Sequence, residues 1–213
     1  MTRFLTSRRI SLGLFSLLAA VGLSSCGSNT FLFGSGGDIR NKMIVSVRDQ
    51  KMLLVCDGTP VKSYKISTSK FGVGDRPGSN CTPLGRLQVA KKIGDNAPMG
   101  SVFKSRRRTG EVIPPNAPGR DPVVTRIMWL TGTERRNNNA FGRTIYIHGT
   151  PEERRLGSPA SYGCIRMGSR DVADLYARVS KGADVFIIRD SIKVEKPNSD
   201  SASTPKSAFP SRS

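Results

Sequence analysis

The chain holds one histidine, His148, and a short loop later comes Ser161-Tyr162-Gly163-Cys164-Ile165-Arg166-Met167. An imidazole and a thiol are the two parts of a cysteine nucleophile. A free thiol titrates near pH ~8.5 and is mostly protonated at neutral pH. A nearby imidazole can take its proton or stabilise the thiolate. With a single histidine in the sequence, any histidine-dependent chemistry runs through His148. Cys164 is therefore the candidate nucleophile and His148 the candidate base.

The neighbours fit the same chemistry. Gly149 lets the chain turn sharply and brings a backbone carbonyl close to the ring, where it could accept from one imidazole nitrogen while the other faces the thiol. Gly163 permits close backbone approach, and consecutive amides around Cys164 could point at an oxyanion. Arg166 suits a carboxylate through a two-pronged hydrogen bond and favours the thiolate electrostatically. Tyr146, Ser161 and Tyr162 complete the candidate substrate-binding set. Taken singly, a strand histidine is more often a satisfied core residue and a buried cysteine is usually inert. Their joint occurrence with the flanks HGT, GC and IR is what points to a site.

The elements that must position these residues are mostly strands. Alternation and turn signals predict strands at 43–47, 51–55, 61–66, 86–90, 123–130, 144–148 and 184–188. The first two flank a short turn and read as a hairpin. One convincing helix follows the cysteine segment, with Ser169 as N-cap, Asp171 in the first turn and Gly182 as the stop. Val172, Leu175, Tyr176 and Val179 lie on one face of it. Residues 71–83 and 94–122 read as long loops of the kind that carry binding or lid functions on a β scaffold; the second includes Arg106-Arg107-Arg108.

Composition bounds the setting. The 213 residues allow one domain with tails. Lys and Arg number 34 against 16 Asp and Glu, a formal net charge of +18. Such a chain favours anionic surroundings such as lipid head groups or carboxylate-bearing substrates, or simply has a solvated basic face. No nucleic-acid-binding pattern accompanies the charge, so nucleic acid is not an expected partner. Without a Cys-x-x-Cys pair or a second histidine, neither a metal nor another cofactor is expected.

The N-terminus has Arg3, Arg8 and Arg9 before an apolar run from Ile10 to Leu23, too short for a comfortable membrane span. The run ends in Leu23-Ser24-Ser25-Cys26-Gly27, which resembles a bacterial lipobox. That resemblance implies cleavage before Cys26 and a lipid on it, with the cell envelope, periplasmic face, as destination. Ser28 rather than Asp follows Gly27, so the outer membrane is expected where the cell has one. The organisation predicted is a signal peptide over 1–25, a flexible Gly/Ser/Asn-rich tether over 26–41, a catalytic domain over 42–190 and a disordered Ser/Pro/Lys-rich tail over 191–213. Cys56 and Cys81 could form a disulfide or remain separate thiols. Oligomeric state is left open.

The segments IHGT from Ile147 and SYGCIRM from Ser161 resemble the L,D-transpeptidases of the YkuD type. GSNCTPLGRL, from Gly78 to Leu87, is similar to the family's Thr-Pro-x-Gly segment. Many members have His where Tyr162 stands. The resemblance implies a YkuD-like β-sandwich with a helix after the cysteine motif, and peptidoglycan stem peptides as partners. It implies that Cys164 is acylated by a tetrapeptide stem with loss of D-Ala, assisted by His148, and that an amine then resolves the thioester to give a 3→3 cross-link. Water as acceptor would make an L,D-carboxypeptidase. A non-catalytic peptidoglycan-binding lipoprotein is the alternative of a different class. A sortase or papain-like reading fails on the order and spacing of His and Cys.

Overall fold

The computed structural model describes residues 37–193. The expected signal peptide, most of the tether with Cys26, and most of the C-terminal tail lie outside the described residues. Ten strands and one helix follow in order: β1 (Asn41–Ser46), β2 (Lys51–Cys56), β3 (Thr59–Ser67), β4 (Gly85–Ile93), β5 (Ser101–Lys104), β6 (Arg107–Val112), β7 (Val123–Gly132), β8 (Tyr146–Gly149), β9 (Ile165–Met167), α1 (Ser169–Arg178) and β10 (Asp184–Ile188). The fold is mainly β with one helix directly after the cysteine segment, as expected.

Alternation explains the strands. Met43 and Val45 on β1, Met52 and Leu54 on β2, and Leu87 and Val89 on β4 all point into one core with almost no exposure, as period-two side chains must. The pairings run β4-β10-β1-β2-β3-β9-β8-β7, and β7 also pairs with β4. The sheet therefore closes on itself, and its opposite walls share the core, which is how the expected sandwich is realised. Ladders are antiparallel except β1–β10 and β8–β9.

Helix α1 buries Val172 and Leu175 in that core. Its N-cap is Gly168 rather than the predicted Ser169. The carboxylate of Glu153 accepts the Ser169 amide at 2.8 Å, supplying from a preceding turn what the cap residue cannot. The helix ends at Arg178, before Gly182. Two hydroxyls pin it, Tyr64 to Asp174 at 2.7 Å and Tyr176 to Asp95 at 2.8 Å.

Two features depart from the predicted elements. The long loop 94–122 contains a hairpin, β5–β6, with Ser105 and Arg106 at φ +49° and +66° in its turn. Consecutive left-handed residues make the tight turn that suits a twisted hairpin. Every residue of β6 is exposed, so no apolar alternation marked it in the sequence. β9 is only three residues long, and its ladder to β8 is the one that assembles the site.

Candidate active site

The register of β8 and β9 places the candidate residues. The strands run parallel with Ile147 opposite Ile165, His148 opposite Arg166 and Gly149 opposite Met167. Ile147, Ile165 and Met167 belong to the main core. Tyr146, His148, Cys164 and Arg166 are out of phase with them and share the other face of the sheet. There a smaller cluster of Ala97, Phe103, Ile127 and Tyr146 covers them, with Val123, Trp129 and Cys164 partly buried against it. Phe103 comes from the β5–β6 hairpin, so the unpredicted hairpin forms part of the site's wall.

His148 is 5% exposed, and its Nδ1 lies 2.8 Å from the Gly149 carbonyl oxygen. A carbonyl only accepts, so Nδ1 carries the proton and Nε2 keeps a lone pair. Burial pushes the imidazole pKa from 6.5 down to about 4; the Gly149 carbonyl opposes this, Arg166 adds to it, and Asp121 opposes it. Gly149 acts through lack of volume as well as through this carbonyl. A Cβ there would stand 2.6 Å from the Val124 carbonyl oxygen and 3.1 Å from both the Thr125 and Val172 side chains. Its φ is not left-handed, so close packing, and not a sharp turn, is what requires glycine. The β7–β8 ladder shifts register between Val124 and Ile127, and the intervening Thr125 sits at φ +69°. A β-branched residue in that region is strained, and such strain gathers at functional sites.

The Cys164 sulfur accepts the Tyr146 amide at 3.4 Å and lies 3.5 Å from the Thr144 carbonyl, to which the thiol donates. Burial pushes the thiol from 9.0 up to about 11, against the opposing pull of the Tyr146 amide and the charges of Arg166 and Arg143. Both partners are therefore neutral at pH 7. The arrangement suits proton removal as the sulfur attacks rather than a standing thiolate–imidazolium pair.

The loop before Cys164 is tied down on both sides. The Ser161 hydroxyl donates to the Cys164 carbonyl at 2.6 Å and accepts the Gly163 amide at 3.2 Å. Ser161 is fully buried, so it shapes the loop from beneath. Its use of the Gly163 amide removes that group from the expected oxyanion donors. Gly163 has φ +114°, and a Cβ there would meet the Cys81 carbonyl at 3.2 Å. The Thr82 hydroxyl donates to the Gly163 carbonyl and accepts the Ser69 amide, both at 3.0 Å. Residues 69–83 thus form the shelf on which the Cys164 loop rests. Arg143, paired with Asp75 at 2.8 Å, donates to the Cys81 carbonyl at 2.7 Å and holds the shelf. Cys56, Cys81 and Cys164 are all free thiols.

Arg166 is held by its own chain. It pairs with Asp121 at 2.6 Å and with Glu152 at 3.5 Å, and its side chain is 10% exposed. Asp121 also accepts the Thr150 hydroxyl. The side chain expected to receive a substrate carboxylate is thus already engaged by two. Tyr146 stands edge-on to Trp129 at 5.6 Å, its hydroxyl 3.4 Å from Arg106 of the hairpin turn. The Arg106 guanidinium lies 4.9 Å over the Trp129 ring. Tyr162 is 57% exposed on the rim. Asp121, Glu152, Thr82 and Arg143 carry no spacing signal, because their partners are distant in sequence; Thr82 and Asp121 sit within segments already singled out, but nothing in those segments marked them.

The family model for YkuD, the L,D-transpeptidase catalytic domain, matches residues 40–187. The chain is similar to the probable L,D-transpeptidase YcfS of Escherichia coli (strain K12), at 27% identity over 144 residues, covering 65% of this chain and 42% of that protein. The chain therefore spans less than half of that relative's length. It is also similar to the solved structure of L,D-transpeptidase 3 from Mycobacterium tuberculosis in complex with a faropenem-derived adduct. The identity there is 20%, covering 71% of this chain and 60% of that one, with a TM-score of 0.46. An L,D-transpeptidase structure from Xylanimonas cellulosilytica shows 17% identity, covering 73% and 63%, with a TM-score of 0.46.

Proposed function

The chain belongs to the L,D-transpeptidase catalytic-domain family, and from that premise we propose that it is a peptidoglycan L,D-transpeptidase with Cys164 as nucleophile. The observation that carries the reading is the shared face of β8 and β9, which sets Cys164, His148, Tyr146 and Arg166 side by side on the face turned away from the main core.

In the proposed reaction the Cys164 sulfur attacks the carbonyl at the L-centre of meso-diaminopimelate in a tetrapeptide stem. Nε2 of His148 takes the thiol proton; its tautomer is set by the Gly149 carbonyl. The C–N bond to the terminal D-Ala breaks, the proton passes from His148 to the leaving amine, and a thioester remains on Cys164. A side-chain amine of a second stem attacks the thioester, gives up its proton to His148 and forms the 3→3 cross-link, restoring the thiol. Neutral partners at rest suit this cycle, because each proton moves only as a bond is made or broken.

The envelope is the proposed location, with the chain anchored through a lipid on Cys26. The test is mass spectrometry of the full-length protein incubated with purified tetrapeptide muropeptides. The expected result is a protein adduct on Cys164 equal to the stem less D-Ala, followed by cross-linked dimers. Tripeptides without dimers would make the enzyme a carboxypeptidase, and absence of both adduct and D-Ala release refutes the reading.

A further inference from the structure

Substrate stems carry carboxylates, and most cations around the site are already neutralised. Arg166 has Asp121 and Glu152, Arg155 has Glu152 at 3.1 Å, and Arg143 has Asp75. Arg106 is spent on the Trp129 face and the Tyr146 hydroxyl. Lys70 differs. Among the described residues no carboxylate lies within ion-pair distance of it. Its ammonium donates to the Tyr162 hydroxyl at 3.0 Å and lies 4.4 Å and 5.3 Å over the rings of Tyr162 and Phe71. Those two rings stand 5.4 Å apart, each about half exposed.

The backbone under this group is rigidly joined to the nucleophile loop. Ser69 and Ser161 form a parallel bridge, and the Lys70 amide donates to the Ser161 carbonyl at 3.1 Å. The Ser69 hydroxyl holds both the Phe71 amide and the Asn80 carbonyl. Tyr162 is two residues before Cys164 in the same loop. A ligand gripped by Lys70 and Tyr162 is therefore fixed relative to the sulfur.

We propose that Lys70 and Tyr162 form a carboxylate-binding subsite that orients the acyl-donor stem against Cys164. The Lys70 ammonium forms the ion pair, and the Tyr162 hydroxyl, which accepts from Lys70, donates its own proton to the second carboxylate oxygen. The Lys70 ammonium, hydrogen-bonded to the Tyr162 hydroxyl, holds its phenol below its ordinary pKa, with smaller contributions from Arg166 and Arg155. An anion, not a neutral sugar, answers the unpaired charge of Lys70. The ammonium also lies over both rings, so a stacking sugar would have to displace it. The inference rests on the transpeptidase reading for its substrate and assigns to Lys70 the role that the buried Arg166 cannot freely take.

The stem offers three carboxylates: on D-Glu, on the D-centre of diaminopimelate and on the terminal D-Ala. The test measures equilibrium binding of the tetrapeptide stem and three singly amidated stems to full-length Cys164→Ala protein, with and without Lys70→Met. Amidation at one position should weaken binding about tenfold when Lys70 is present and change nothing in Lys70→Met. The position that responds identifies the carboxylate. Tyr162→Phe should keep part of the discrimination. Equal amidation effects with and without Lys70, no discrimination at all, or no measurable binding would each overturn the subsite. Melting temperature checks that Lys70→Met is folded; its exposed side chain makes loss of structure unexpected. Acylation of the unsubstituted protein is scored separately. Failure there refutes the transpeptidase reading, while the binding comparison still decides the subsite.

Discussion

Ile147, Ile165 and Met167 on one face of the β8–β9 pair, and Tyr146, His148, Cys164 and Arg166 on the other, are neighbours in sequence governed by different physics. The inner face is apolar and fully buried, and its demand is volume. The outer face holds a base, a thiol and an ion pair in partial or complete burial, and its demand is a partner for every polar atom. The partners come from elsewhere: Gly149 for His148, Thr144 and the Tyr146 amide for Cys164, Asp121 and Glu152 for Arg166. A single ladder thus packs the core on one side and holds the candidate active site on the other, and substitutions one residue apart should separate the two.

The largest expected contrast is between Cys164→Ala and Ile147→Ala. Cys164→Ala abolishes thioester formation on tetrapeptide stems while the protein stays folded. Ile147→Ala costs about 2–5 kcal/mol of stability, the usual range for a fully buried aliphatic truncation, and leaves acylation intact where the protein remains folded. Intact-mass acylation and denaturant unfolding of both variants check the pair. Turnover retained by Cys164→Ala would break the comparison at its centre. Next comes His148→Gln, which keeps a polar side chain but no base. Acylation by the stem should slow by roughly 10²–10⁴-fold, the usual contribution of a positioned general base. An unchanged rate at neutral pH would remove His148 from the mechanism.

Asp121→Ala probes how the outer face is held. It removes the nearer carboxylate from a guanidinium that is only 10% exposed, leaving Glu152 at 3.5 Å. Breaking a buried pair on one side costs on the order of 3 kcal/mol. Unfolding should therefore shift nearly as much as for a core truncation, and acylation should fall as well, because Arg166 pairs directly with His148 in the ladder. A stability loss without any change in acylation would make the ion pair purely structural.

The two faces were also unequally legible. Period-two apolar alternation disclosed β1–β4, β7, β8 and β10, and 3.6-residue periodicity disclosed α1, because burial on one side writes itself into sequence. β6 is exposed throughout and wrote nothing, so the hairpin that walls the site read as loop. His148 and Cys164 were legible because the chemistry proposed for them needs rare residue types with glycine beside them. Asp121 and Lys70 were not. A carboxylate or an ammonium in a loop is ordinary in sequence, and its meaning comes from a partner that only the fold brings near. Tyr162 was visible as a departure from a pattern, and the structure supplies its neighbour, Lys70.

The smallest effect is a pH dependence that belongs to the outer face alone. His148 is held neutral, with its folded pKa about 4 against 6.5 for an unburied imidazole. As pH falls below about 6.5 the unfolded chain takes up a proton that the folded chain refuses, so stability is lost through that window until about pH 4. The contribution is fully present above pH ~6.5, and by pH 5 about 2 kcal/mol of it is gone. Carboxylates across the protein also take up protons as pH falls, so the absolute curve mixes their effects with that of His148. The difference between the unsubstituted protein and His148→Gln, measured by urea unfolding from pH 7.5 to 5, cancels them to first order. The gap between the two should narrow by about that amount as pH falls. Ile147→Ala on the inner face should instead displace the curve by a constant at every pH. A constant gap for His148→Gln as well would mean that the imidazole is not held neutral by the fold, and a gap that widened as pH fell would replace proton transfer on attack with a standing ion pair.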